Sequence, residues 1–367
     1  MLVTIRDFAM ERLDASAEGQ DIRRRHFAAY LALAERAAPE LQGNDQRRWL
    51  DLVELEHDNM RAALECAISD KRVDDATRLV FALWRFWQVR GYLREGLAWA
   101  ERVLALPPGN ARLRLRALEA AGGLTYWMGD MAATERYYRE EYDSAGALRD
   151  DPERAKAAYN LSFVYMLSGG ERHDDALALL EEALSIFRPL GDRASIGRAA
   201  WALGAMYGEG PKRTRPDFLK AKQLAHEALD QHRALGNRFD IAWDLHATGL
   251  AALKLGELED AEKAWRVAIQ YFVEAADSSG IVLLLSDLAE LAKARGDKER
   301  QATLVGAWTA LSQRTGVGLA SLWGTTEGRM IADTVPAELR ASFERGLAMK
   351  TEEALAYALA QQPAKTA

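Results

Sequence analysis

Apolar residues recur at helical spacing along almost the whole chain. Residues 1–13 place Leu2, Ile5, Phe8, Ala9 and Leu13 on one face, the i, i+3, i+4 pattern of an amphipathic helix. This helix begins abruptly, without a cap, and reads as the end of a preceding element. Ile22, Phe27, Tyr30, Leu31 and Ala34 predict a second helix over 21–38, ending near Pro39. A third starts after Asn44-Asp45, good capping residues; it carries Trp49, Leu52, Leu55, Met60 and Leu64 to about Asp70. From residue 74 the stripes come in pairs, a helix A followed by a helix B. The pairs cover 74–90 with 93–106 and 113–128 with 132–148, then three units over 153–190, 194–235 and 239–276. A sixth starts near Ser279 and has its second helix near 301–315. Residues 316–335 read as loop with a weak helix, 337–347 and 350–361 as closing helices, and 362–367 as a frayed tail.

Glycine punctuates this pattern. Gly91-Tyr92-Leu93, Gly129-Asp130-Met131, Gly256-Glu257-Leu258 and Gly296-Asp297-Lys298 each end one helix and open the next, with Gly169-Gly170 at the matching place. The intervals 91→129→169→256→296 are 38, 40, 87 and 40 residues, and the long one holds two units. A second marker keeps the same period: Leu148-Arg149-Asp150, Leu190-Gly191-Asp192, Leu235-Gly236-Asn237 and Ala276-Asp277. Glycine in the left-handed conformation followed by a capping Asp or Asn both ends helix B and starts the next helix A. A repeat near forty residues is the signature of a helical solenoid.

Within the units, Leu161-Ser162, Tyr165, Ala176 and Ala183, then Leu203-Gly204, Tyr207, Ala221 and Ala228, then Gly249, Gly256, Ala261 and Ala268 fit the tetratricopeptide pattern. Small residues let paired helices approach closely and large ones fill the space between units. The expected fold is all-α: a tetratricopeptide-like helical-hairpin solenoid, a right-handed superhelix with an N-terminal helical adaptor and C-terminal capping helices. Two A–B turns are lengthened, at Gly169–His173 and Gly208–Pro216, and such insertions collect on one edge of a solenoid.

Composition adds exclusions. The 367 residues carry a net charge of −7, which supplies no electrostatic drive toward nucleic acid. Cys66 is the sole cysteine, so a disulfide framework and a multi-cysteine metal site are both out; it reads as a small buried residue. Arg6, Asp7, Glu11 and Arg12 interrupt any signal-peptide core, and Ile281–Leu285 is too short to cross a bilayer. The expected location is cytoplasmic. There is no P-loop, dinucleotide fingerprint, His-Glu-x-x-His or nucleophile elbow, and His226 and His232, six apart, do not stack on one helical face. No catalytic residue, metal site or cofactor is assigned.

The candidate chemistry is a groove lined by the A helices. Counting from the matched Leu-Gly positions, its residues are Arg85, Gln88, Arg116, Glu119, Tyr126, Trp127, Tyr159, Asn160, Phe163, Met166, Arg198, Trp201, Trp243, His246 and Lys254, with loop contacts from Lys212, Arg213 and Arg215. Arginine and aromatic side chains suit a peptide or an amphipathic small molecule. The competing reading puts most of these aromatics in the core between repeats and leaves the basic loop as a solvated turn.

The ends carry a resemblance. Met1–Leu13, Glu56-His57-Asp58-Asn59-Met60-Arg61-Ala62-Ala63-Leu64, Trp84-Arg85-Phe86-Trp87 with Gly91 and Gly96, Leu304-Val305-Gly306-Ala307 and Thr351–Leu359 together resemble the C-terminal repeat region of bacterial STAND-type ATPase regulators, the large LuxR-like and antibiotic-pathway kind. The resemblance implies boundaries: 1–15 the end of a winged-helix-like segment, 16–72 the adaptor, 73–315 about six repeats, 316–367 the closing helices and tail. It also implies a non-catalytic module that senses a peptide, protein or small-molecule inducer and controls a separate ATPase and effector. ATP is expected only in an upstream domain, since the ATPase motifs and the helix-turn-helix are absent here. The alternative is a constitutive protein-interaction scaffold. Asn160 sits where such scaffolds grip a peptide backbone, but Ala202 and Ala247 occupy the equivalent places in later units.

Overall fold

The computed structural model describes residues 12, 16, 18–41, 45–168, 171–208, 215–274, 277–315 and 335–360. The expected helix over 1–13, the Gly169-Gly170 turn, most of the 208–216 turn and the 316–334 loop lie outside the described residues. The chain divides into two compact units, residues 1–164 and 165–367.

The first unit holds α1 (Gly19–Glu40), α2 (Gln46–Leu55), α3 (His57–Ser69), α4 (Val73–Arg90), α5 (Leu93–Leu104), α6 (Ala111–Met128), α7 (Met131–Ala147) and most of α8 (Asp151–Met166). In it α4 packs on α1, α3, α5 and α6, and α6 on α5 and α7. The second holds α9 (His173–Leu190), α10 (Arg193–Gly208), α11 (Arg215–Leu235), α12 (Arg238–Leu255), α13 (Leu258–Glu274), α14 (Ser278–Ala294) and α15 (Lys298–Thr315). A 3₁₀ turn (Ala337–Leu339), α16 (Arg340–Ala348) and α17 (Thr351–Leu359) follow. Each helix from α9 to α15 packs on the next, and α16 and α17 close over α15. The architecture is all-α and tetratricopeptide-like, with no strand among the described residues.

One expected helix is two. The stretch 45–70 breaks at Glu56, whose ψ of 8° leaves the helical range. The Glu56 carboxylate there accepts hydrogen bonds from the Tyr30 hydroxyl at 2.9 Å and the Asn59 amide at 2.6 Å. Tying that side chain to α1 and α3 fixes the corner.

The turns are built as the glycines imply. Gly91, Gly129, Gly191, Gly236, Gly256 and Gly296 all have φ between 66° and 81°. Arg149 and Lys71 adopt the same conformation at φ 53° and 55°. They make the same pair of capping bonds: Arg149 N–H to Gly146 and Asp150 N–H to Ala145, Lys71 N–H to Ile68 and Arg72 N–H to Ala67. A side chain in this region costs about 1–2 kcal/mol, offset in part by the greater backbone freedom glycine has when unfolded. Arg149→Gly and Lys71→Gly are therefore each expected to stabilise by about 0.5–1 kcal/mol, additively, in urea unfolding.

The period reappears in side-chain bonding. Arg78 bonds Glu35, Arg102 bonds Glu65, Arg116 bonds Glu153, Arg188 bonds Glu227 and Arg238 bonds Glu274, at separations of 43, 37, 37, 39 and 36 residues. Arg78 and Arg102 tie the first hairpin to α1 and α3, Arg116 and Arg188 link successive hairpins, and Arg238 closes the hairpin of α12 and α13. Glycine receives an aromatic ring where helices meet: Gly123 lies against Trp84 and Gly280 against Phe272 of the preceding hairpin, and Gly249 against Trp265 within its own, leaving no room for a Cβ. No helix among the described residues is long and apolar enough to cross a membrane.

Candidate binding surfaces on the A helices

In the first unit α4, α6 and α8 carry the predicted residues. Arg85 lies 3.7 Å from the centre of the Trp84 ring and donates to Gln88 at 3.0 Å. Arg116 bridges two acids, donating to Glu119 at 3.0 Å and to Glu153 at 2.8 Å, while Lys156 reaches the same Glu153 oxygen at 3.1 Å. Next to this polar group stands an aromatic cluster. Tyr126 meets Phe163 edge to face at 6.4 Å, Tyr159 meets Phe163 at 5.1 Å, and Trp127 meets Tyr126 at 5.9 Å. Edge-to-face geometry is the arrangement the ring quadrupoles favour. Trp127 is 54% exposed, although its neighbours one turn earlier, Gly123 and Leu124, are buried. The structure thus brings Tyr126, Trp127, Tyr159 and Phe163 together, with Arg116 on the same helix pair.

A residue the sequence reading missed underlies this wall. Glu141 of α7 is 1% exposed, with one carboxylate oxygen lacking any hydrogen-bond partner among the described residues. Burial pushes its carboxyl well above the ordinary range, and the nearby Glu119 and Glu153 push the same way against Arg116 and a hydrogen bond from Asn160. Asn160 is therefore engaged with Glu141. Thr134, Tyr137, Tyr138, Glu141 and Ala145 form the buried stripe of α7; their 3–4 spacing was the available signal.

The sign of the linkage follows from the raised value. Folded Glu141 holds its proton where the unfolded chain has lost it, so its contribution to stability is present below about pH 4.5 and is lost as pH rises through the folded value. Glu141→Gln is expected to raise the melting temperature at pH 8 and to leave it nearly unchanged at pH 4, measured by thermal scans at both. An equal shift at both pH values would contradict a protonated Glu141.

The second unit carries the remaining residues. Trp201 and Trp243 meet edge to face at 6.5 Å, and Trp243 meets His246 at 5.8 Å and Phe272 at 5.3 Å. His246 does not lie on an open wall: it is 6% exposed and its Nε2 is 2.8 Å from Asp287 of α14. A second buried pair joins α11 to α12, His232 Nδ1 at 2.6 Å from Asp244. Burial pushes Asp244 up to about 6, against the pull of His232. Arg198 is exposed, Met166 and Trp201 are half-buried, and Lys254 is exposed. Arg215 is exposed and donates to the Leu255 carbonyl at 3.4 Å. Lys212 and Arg213 lie outside the described residues. No group of three or more metal-ligating side chains occurs among the described residues.

Helical hairpins closed by left-handed glycines and locked by glycine–aromatic contacts define a tetratricopeptide-like repeat protein. A solved Rap protein, complexed with Competence and Sporulation Factor, has a similar fold: TM-score 0.53 at 13% identity, covering 91% of this chain and 95% of that one. BtubC from P. vanneervenii aligns with TM-score 0.47 at 16% identity, over 70% of this chain and 92% of its own. In sequence, the chain is similar to proteins of Mycobacterium bovis and Mycobacterium tuberculosis named "Putative HTH-type transcriptional regulator". It is 25% identical to each over 280 residues, 76% of this chain. The match spans 26% of those relatives' length. No protein-family model matches the chain.

Proposed function

We propose that this chain is the partner-sensing repeat region of a bacterial transcriptional regulator of the STAND type, without catalytic activity of its own. The observation that carries the reading is the A-helix wall of the first unit. There Trp127 stands largely exposed beside Tyr126, Tyr159 and Phe163, with a balanced acid–base group around Arg116. Packing accounts for buried aromatics; an exposed tryptophan next to a preformed ring cluster suits a ligand with an apolar face and polar edges. The match to about a quarter of longer proteins named as regulators of the HTH type supports a region serving a larger machine.

The mechanism is a shift in population. A partner held on the wall stabilises one arrangement of the repeats, and helices α1–α3 pass the difference to the ATPase and effector. The joint between them and the first repeat is tight. Arg61 grips Glu95 through two bonds of 2.7 and 2.6 Å, and Trp87 Nε1 donates to His57 at 3.3 Å.

A photo-crosslinking residue tests the reading. Placed at Trp127 in a full-length regulator under inducing conditions, it is expected to give a defined adduct. The same residue at Leu148, which is exposed on the first unit but off the wall, is expected to give none. No adduct at 127, or identical adducts at both, overturns the assignment.

A further inference from the structure

The second unit has an apolar edge that its core does not use. Leu190 ends α9, Leu235 ends α11, Phe239 opens α12 and Val273 lies in the last turn of α13. They are 55%, 49%, 53% and 43% exposed. All four sit at the corner where a B helix stops and the next A helix starts. Side-chain bonds across the same corner show that these ends adjoin: Arg188 to Glu227, Arg193 to Gln231 and Arg238 to Glu274. The capping function of these turns lies in Gly191, Gly236 and the following Asp and Asn, so it does not require large exposed side chains beside them. A run of exposed apolar side chains at one register over successive units marks a contact surface.

Charge says what the surface fits. Arg193 opens α10, Arg198 follows little more than one turn along it and Arg233 lies in the last turn of α11, and all three are exposed. Among the described residues none has a carboxylate within ion-pair distance; Arg193 is bonded to the neutral Gln231. Arg198 acts electrostatically on His232 and Asp240, and Arg233 on Asp244, without an ion pair in either case. Asp244 is buried and already held by His232, so it is not available to pair with Arg233 at the surface.

We infer that this edge of the second unit docks an acidic amphipathic segment of a protein partner, its apolar residues on Leu190, Leu235, Phe239 and Val273 and its carboxylates toward Arg193, Arg198 and Arg233. The site shares no residue with the first-unit wall, and the inference does not rest on that wall. Apolar anchors give such a contact its lifetime and the arginines give it sign selectivity.

The probe is a fluorescein-labelled helical peptide of roughly 16 residues with leucines at i, i+3, i+4 and i+7 spacing and glutamates elsewhere. Its counterpart carries lysine for every glutamate. Fluorescence anisotropy with the full chain is expected to show saturable binding of the acidic peptide, at least about tenfold tighter than the basic one. Leu235→Ser and Phe239→Ser, both at exposed positions, are expected to weaken it by about tenfold or more. Arg193→Ala with Arg233→Ala is expected to flatten its salt dependence, while Trp127→Ala leaves it unchanged. Equal binding of both peptides, no saturation, or indifference to the Leu235 and Phe239 changes overturns the assignment. So does self-association of the chain that Leu235→Ser abolishes, which would give the edge to a second copy.

Discussion

Trp87→Ala is expected to destabilise the first unit by about 4 kcal/mol, the usual cost of emptying a fully buried indole site. Trp87 is 1% exposed. Its ring fills the space over Gly96, where any Cβ would overlap it, and its Nε1 donates to His57. The substitution removes apolar burial, leaves a cavity and deprives the buried His57 of its donor in one step. His57 is held neutral chiefly by burial; opening the site should let its titration move back up toward the ordinary histidine value, which NMR of the ring protons would follow. A loss under about 1 kcal/mol in urea unfolding, with His57 unmoved, would contradict this joint.

Gly346→Ala is expected to cost about 2 kcal/mol at the closing end of the second unit. Helices α15 and α16 touch backbone to backbone: a Cβ at 346 would fall on the Thr303 carbonyl, and one at 306 on the Phe343 carbonyl. Alanine improves helix propensity by about 1 kcal/mol, but overpacking costs about 1–3 kcal/mol and sometimes more, and here the obstacle is backbone, which cannot rotate aside. The clash wins. Unchanged or improved stability of the variant would show that α16 can slide along α15.

Much of the fold was readable because turn chemistry is local. Each left-handed glycine needs only its own φ, so the boundaries between α4 and α7 and between α12 and α15 follow from Gly91, Gly129, Gly256 and Gly296 within a residue or two. The motifs behind the family resemblance also find physical roles: His57 and Arg61 meet Trp87 and Glu95, Gly96 makes room for Trp87, and Gly306 makes room for α16. What was not readable depends on partners a whole unit away. The corner at Glu56 is held by Tyr30, 26 residues earlier, and His246 turns inward because Asp287 waits 41 residues later. Glu141 carries no motif that singles it out; only the phase of the α7 stripe, with Tyr137 and Tyr138, places it inside. Of the candidate groove, sequence spacing brought Tyr126, Trp127, Tyr159 and Phe163 to one wall, since A-helix residues one unit apart stack in register. It could not say which of them stay exposed, because that depends on how deeply each neighbour fills the gap.

We propose that the aromatic wall of the first unit receives the signal. The most direct test is effector-dependent activation of a full-length regulator carrying alanine at Trp127, Tyr159 and Phe163, with circular dichroism and melting temperature showing that the fold persists. The expected result is a folded protein whose basal output is kept and whose response to the effector is lost. An intact response in a folded triple variant would contradict it.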